Sequence, residues 1–101
     1  MKELLNLKGL KGISLIELDT KIQNLFGADN SFFDYDMSDT ITKNYNNNKK
    51  CAFSYIKDIY NDNGYLCKII DCKVIFEVEK LDIENIEQTL VNVIDISKIS
   101  F

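Results

Sequence analysis

Residues 29–39, Asp-Asn-Ser-Phe-Phe-Asp-Tyr-Asp-Met-Ser-Asp, hold the densest group of chemically capable side chains in the sequence, and we call this stretch the acidic segment. It combines four carboxylates with three aromatic rings and has no basic residue: Asp29, Phe32, Phe33, Asp34, Tyr35, Asp36 and Asp39. Aromatic side chains anchor protein interfaces, and clustered carboxylates attract a basic partner and speed the encounter. We therefore predict a partner-binding surface here. The alternative is a surface loop whose rings fill the core edge while its carboxylates face water.

The chain contains no histidine and no arginine. Without histidine, no side chain has an ordinary pKa near neutrality for general acid-base catalysis, and a Cys or Ser nucleophile lacks its usual base. Without arginine, no planar fork is present to grip phosphate or carboxylate. The sequence thus favours a binding protein over an enzyme. An AT-rich genome also depletes arginine and proline codons, so the absence by itself identifies no partner.

Neither the carboxylates nor the cysteines have the spacing of a metal site. Asp34, Asp36 and Asp39 lack the alternate positions and the glycine of a calcium-binding loop. A zinc site needs about four ligands in close pairs, whereas Cys67 and Cys72 have four residues between them and Cys51 stands alone. We expect reduced core cysteines, no metal and no cofactor.

Charge is distributed unevenly along the chain, which has a net charge of −4. Residues 28–48 carry four Asp against Lys43, a net −3, while residues 49–69 carry four Lys against two Asp, a net +2. Because most of the surface is negative, phosphate is repelled and nucleic acid is an unsuitable partner. No run of 18 apolar residues and no secretory signal occurs, so we expect a cytoplasmic protein that does not enter a membrane.

The clearest helix signal covers residues 14–26. Ser14 and Glu17 form a capping box, and Gly27 supplies the left-handed stop. An apolar stripe runs along one face of this predicted amphipathic helix: Leu15, Leu18, Ile22, Leu25 and Phe26. The Leu-rich residues before it predict either a short helix or an edge strand.

Strand signals dominate from Cys51 onward. The turn 61–64, with Asn63-Gly64 supplying positive φ, predicts a hairpin, and residues 44–50 before it read as a polar loop. Residues 65–69 and 73–81 read as two strands broken near 70–72, or as one continuous bent strand. Asp82 is a suitable N-cap for a short helix at 83–90, followed by a strand from 91. The prediction is one α+β domain over 1–101, in which helices cover one face of a three- to four-stranded antiparallel sheet.

Taken together, small size, missing catalytic groups and the acidic segment predict an inhibitor that binds another protein. The concrete expectation is a bacterial immunity protein that neutralises a basic, nuclease-type toxin, with Asp34, Asp36 and Asp39 facing the partner's cations. This expectation rests on physical type and not on any alignable motif. The other class that fits is a small acidic secretion chaperone, adaptor or phage accessory subunit, which would self-associate through an apolar surface.

Overall fold

The protein has an α+β fold in which helices pack on a curled, four-stranded antiparallel sheet. The structure, a computed structural model, describes residues 2–101, and Lys2 through its backbone alone. In chain order the elements are α1 (Lys2–Leu5), β1 (Ile13–Ser14), α2 (Leu15–Phe26), α3 (Ser38–Asn46), β2 (Cys51–Tyr60), β3 (Leu66–Lys80) and β4 (Leu90–Ser100), with 3₁₀ turns at Phe32–Asp34 and Ile86–Gln88. The spatial strand order is β1-β4-β3-β2, so β1 and β2 are the edges.

Helix α2 lies where the sequence predicts it. The Ser14 hydroxyl accepts a hydrogen bond from the Glu17 amide at 3.3 Å, and Gly27 ends the helix at a φ of 69°. The buried residues of this helix are Leu15, Leu18, Asp19, Ile22 and Phe26. Leu25, predicted to belong to the apolar stripe, is 46% exposed, and Asp19 takes a place in the buried face instead. The predicted stripe was therefore rotated slightly from the real one.

The central strand β3 is one continuous element of 15 residues, so the predicted break at 70–72 is wrong and the single-strand alternative is right. It pairs with β2 on one side and β4 on the other. Register shifts interrupt the β3–β4 ladder at Ile75/Phe76 and Val78/Lys80. Such irregularities increase the local bend of a strand, which lets a long strand follow a curled sheet.

The predicted hairpin joins β2 to β3 through residues 61–65. The Asn61 side-chain oxygen accepts hydrogen bonds from the amides of Asn63 and Tyr65, at 2.9 and 3.0 Å. Of the two residues expected to have positive φ, only Gly64 does, at 83°. Hydrogen bonds to the Asn61 side chain thus stabilise the turn, in place of the positive φ that a two-residue turn would need at Asn63.

The predicted helix at 83–90 is wrong, because only the 3₁₀ turn Ile86–Gln88 forms there. Asp82 accepts a hydrogen bond from the Asn85 amide at 3.0 Å but caps no helix, and its own amide donates to the Thr89 hydroxyl at 3.1 Å. These local bonds close residues 82–89 into a loop and place Leu90 at the start of β4. The strand predicted after residue 91 is confirmed.

Helix α3 replaces part of what the sequence predicts to be loop. Ile41 is fully buried and anchors it to the core, while Tyr45, one turn later, is 41% exposed. Most residues of α3 are weak helix formers, so packing of Ile41 decides its structure. At the N-terminus both alternatives occur, as the short helix α1 and the edge strand β1. None of the helices within residues 2–101 is long and apolar enough to cross a membrane.

Candidate functional site

A buried carboxylate on α2 fixes the start of the acidic segment. Asp19 is 8% exposed, and its Oδ1 accepts hydrogen bonds from the Phe32 amide at 3.1 Å and from the Tyr55 hydroxyl at 2.8 Å. Its Oδ2 accepts from the Ser31 hydroxyl at 3.0 Å. Burial, reinforced by the hydrogen bond to Asp19, raises the pKa of the Tyr55 hydroxyl far above its ordinary value, so it remains a donor. Asp19 therefore links α2, the acidic segment and β2.

Residues Asp29 and Asn30 run along the outer edge of β2. The Asp29 amide donates to the Ile56 carbonyl at 2.7 Å, and its Oδ2 accepts from the Asp58 amide at 2.7 Å. The Asn30 side chain donates to the Ser54 carbonyl at 3.0 Å and accepts from the Ile56 amide at 2.7 Å. These contacts occupy main-chain groups that an open edge strand would leave free.

The aromatic residues of the acidic segment divide between core and surface. Phe32 is 3% exposed, and its ring lies edge-on to Phe33, Phe53 and Phe76 at centroid distances of 5.2, 5.1 and 6.0 Å. Phe32 is therefore a core residue, and the prediction that it fills a partner's pocket does not fit its position. Phe33 is half-buried. Tyr35 is 55% exposed and leans on Phe53 at 5.9 Å, so it remains the accessible aromatic residue of the segment.

The predicted carboxylates are all exposed, and three of them, Asp29, Asp34 and Asp36, also accept backbone hydrogen bonds. Asp34 Oδ2 accepts a hydrogen bond from the Ser31 amide at 2.7 Å. Asp36 Oδ1 accepts from the Ser38 amide at 3.2 Å, next to the start of α3. Asp39 lies in the first turn of α3, where a negative charge is favoured by the helix dipole. Carboxylates held in this way present charge at low conformational cost.

Sequence reasoning missed the two residues that hold this surface, Asp19 and Asn30. A signal for Asp19 exists: it follows Leu18 and precedes Ile22 by three residues, which places it on the apolar face of α2. A charged residue at such a position is almost never buried without partners. No comparable signal marks Asn30, because its partners on β2 are more than 20 residues away.

The three cysteines differ in environment. Cys51 and Cys72 are buried, as expected, but Cys67 is exposed on β3 near the hairpin turn, which corrects the expectation of three core thiols. Burial raises the pKa of the Cys51 thiol, and burial with the nearby charge of Asp71 raises the pKa of Cys72 to about 11. Among the described residues, no three His, Cys, Asp or Glu side chains converge as metal ligands.

Comparison of the chain with models of protein families, with curated proteins and with solved structures found no match. The functional argument therefore starts from the site itself. What the described residues offer is an exposed surface of Asp29, Asp34, Tyr35, Asp36 and Asp39, held on a well-bonded backbone.

Proposed function

We propose that this protein is a non-enzymatic inhibitor of the immunity-protein type, which binds a basic toxin domain through the acidic segment. The observation that carries the proposal is that three exposed carboxylates, Asp34, Asp36 and Asp39, lie within four positions of Tyr35, whose ring is 55% exposed. An aromatic anchor with a polar, solvent-accessible rim is the usual anatomy of a protein interface.

Order in the free protein supports this function. The acidic segment is held by the Asp19 hydrogen bonds at its start, by Asp34 and Ser31 in its 3₁₀ turn, and by Asp36 at its end. Binding through such a segment loses little conformational entropy, because the residues are already ordered. Pre-ordering favours an interface over a loop whose only task is to connect α2 with α3.

The charge of the acidic segment makes the proposal measurable through the rate of association with the partner. Residues 28–48 carry four Asp and one Lys, so the segment and its neighbours present a net −3. Charge complementarity of this kind raises association rates by roughly 10- to 1,000-fold at low salt and affects dissociation much less. The partner's approach should therefore be fast and sensitive to ionic strength.

The test uses neutral, nearly isosteric substitutions. Asp34→Asn, Asp36→Asn and Asp39→Asn together remove three charges while keeping an oxygen that can accept the backbone hydrogen bonds of the segment. The matched control is Asp62→Asn, Glu84→Gln and Glu87→Gln, which gives the same net charge at exposed positions elsewhere. The partner is a toxin domain if one is encoded beside this chain, and otherwise the protein that cross-links to Tyr35 in the source cells.

We expect the association rate constant of the triple Asn variant to fall about ten-fold at low salt, and that of the control to change less than about two-fold. The difference should shrink at 0.5 M salt, where charges are screened. Unchanged association of the Asn variant, or an equal loss in the control, would contradict the proposal.

A second candidate, the self-associating chaperone or adaptor, is favoured by a separate observation. Several large apolar side chains are exposed near the β2–β3 turn and at the end of β4: Tyr60, Tyr65, Leu66, Ile99 and Phe101. Chaperones of this class associate through apolar surface of this kind. Sedimentation at micromolar concentration separates the two functions, since the chaperone requires a stable dimer and the inhibitor works as a monomer.

A further inference from the structure

The sheet has a second face that the helices do not use. Along β3, Cys72, Val74 and Phe76 are buried in the core, so the alternate residues Asp71 and Lys73 project from the opposite side. We call that side the outer face. Asp71 lies at its centre, because the register places it directly opposite Ile56 of β2 and Ile99 of β4.

Apolar side chains surround Asp71 on the outer face. Ile69 precedes it by two residues on the same strand and exchanges main-chain hydrogen bonds with Phe101, at 3.3 and 2.8 Å. Ile99 is 49% and Phe101 73% exposed, while Ile56 and Ile69 are half-buried. We call these four residues with Asp71 the Asp71 patch. Asp71 thus has hydrocarbon beside it on both neighbouring strands and on its Ile69 side, while Ser54 and Lys73 lie on its other side.

The hydrogen bonding of this carboxylate is incomplete. Asp71 Oδ1 is inaccessible to solvent and has no hydrogen-bond partner among the described residues. Its Oδ2 accepts only one long bond, 3.4 Å, from the Ser54 hydroxyl. Ionised carboxylates in such surroundings normally receive several donors, and an orphaned buried acceptor in a native structure calls for an explanation. Lys73 lies on the same face, but among the residues that the structure describes it makes no ion pair with Asp71.

We propose that the Asp71 patch is a docking site for an arginine or lysine side chain of a protein partner, separate from the acidic segment. The aliphatic stem of such a side chain would lie on Ile56 and Ile99, and its charged end would donate to Asp71. The torsion of an aspartate carboxyl group is soft, so a modest turn brings the buried Oδ1 within reach of the donor.

Charge selects a cationic side chain over a neutral donor. Asp58 lies opposite Ile69 on the same face, so Asp58 and Asp71 together outweigh Lys73 around the patch. The two surfaces adjoin at Ile56, whose main chain bonds to Asp29 and Asn30, but Phe53, against which Phe32 and Tyr35 pack, lies on the core side of β2. A basic partner could therefore occupy either surface without the other.

A small peptide tests the docking site directly. The probe is N-acetyl-Leu-Arg-Leu-amide, added to the ¹⁵N-labelled full chain and followed by amide chemical shifts. The matched peptide contains citrulline, which keeps the shape of arginine and three of its five N–H donors but has no charge. We expect a dissociation constant on the order of 1 mM for the arginine peptide, with the largest shifts at Ile56, Asp71 and Ile99. The citrulline peptide should bind at least about five-fold more weakly.

Variants decide whether Asp71 is responsible. Asp71→Asn should weaken binding about ten-fold, whereas Asp62→Asn, the same charge change at the exposed turn, should leave it within about two-fold. Ile99→Ser, at a position that is 49% exposed, should weaken it about three-fold and serves if the Asp71 variant does not fold. Wild-type binding by Asp71→Asn or by Ile99→Ser, or shifts spread equally over Asp34 and Asp36, would overturn the proposal. The triple Asn variant of the acidic segment should bind the peptide normally, so failure here leaves the proposed inhibitor function untouched.

Discussion

Replacing Asp19 by alanine should loosen both the core and the acidic segment. The change removes the acceptor of three hydrogen bonds, from Phe32, Tyr55 and Ser31. The Phe32 amide and the Tyr55 hydroxyl are buried, so water cannot easily replace the lost oxygen. Each buried donor left without a partner costs about 1–3 kcal/mol, and we therefore expect the free energy of unfolding to fall by about 3–5 kcal/mol. That is a large share of the roughly 5–15 kcal/mol that stabilises an ordinary domain.

The asparagine variant at the same position separates hydrogen bonding from packing. Asp19 Oδ1 serves both buried donors, whereas Oδ2 accepts only from the Ser31 hydroxyl, which can rotate and become an acceptor. An amide can therefore keep its oxygen at the Oδ1 position and direct its nitrogen towards Ser31. We expect Asp19→Asn to lose only about 1–2 kcal/mol, because the charge-assisted part of the bonds is missing.

Urea unfolding followed by circular dichroism measures both losses, and hydrogen exchange at the Phe32 and Phe33 amides reports the acidic segment. Exchange in the alanine variant should rise at these amides relative to wild type before the protein unfolds globally. Equal losses for the alanine and asparagine variants, or a loss below about 1 kcal/mol for alanine, would refute the assigned role of Asp19.

Three further predictions concern the thiols and the edge of the sheet. The pKa of Cys72 is raised from an ordinary 9.0 to about 11, so the unfolded chain loses this proton first as the pH rises. The free energy of unfolding should therefore decline between pH 9.0 and about pH 11. Urea titrations should show a smaller decline in Cys72→Ser. At neutral pH a thiol reagent should modify Cys67 rapidly and Cys72 only after unfolding, and mass spectrometry showing equal rates would contradict their burial. Asn30→Ala should destabilise the protein by about 1–3 kcal/mol and free the main-chain amide of Ile56 and the carbonyl of Ser54, so light scattering should detect association that is absent in wild type.

Much of the fold could be predicted because its signals are local. The capping residues Ser14 and Gly27 flank α2, and the turn 61–64 lies between two runs of strand-forming residues. The errors arise where distant partners decide. Asp82 carries a good capping signal, but Thr89 binds its amide and holds the chain in a loop, a contact that periodicity cannot reveal. Likewise, α3 depends on burial of Ile41 and not on helix-forming residues.

The sequence could predict which residues make up the candidate site, but not which of their side chains point into the core. Its residues stand together in sequence, and their charges are on the surface, as carboxylates usually are. The sequence does not show which of the two rings, Phe32 or Phe33, points into the core, because two adjacent identical residues carry no signal that separates core from surface. The structure distinguishes them through Asp19, whose bond to the Phe32 amide fixes the backbone and directs that ring to the core. The sequence also gave no signal that the Asp71 carboxylate lacks hydrogen-bond partners, because its surroundings depend on the register of three strands.

The pairing of β1 with β4 has a consequence for the order in which the protein folds. Ile13 pairs with Val91, 78 positions later (91 − 13 = 78), whereas β2, β3 and β4 are joined to one another by short connections. Contacts between distant positions form late, because a long loop must close before they contribute. On the ribosome the β2–β3 hairpin can form once Lys80 has emerged, but β1 and the start of α2 must wait for β4. Strand β1 is therefore made before the β2–β3 hairpin but reaches its final place after it.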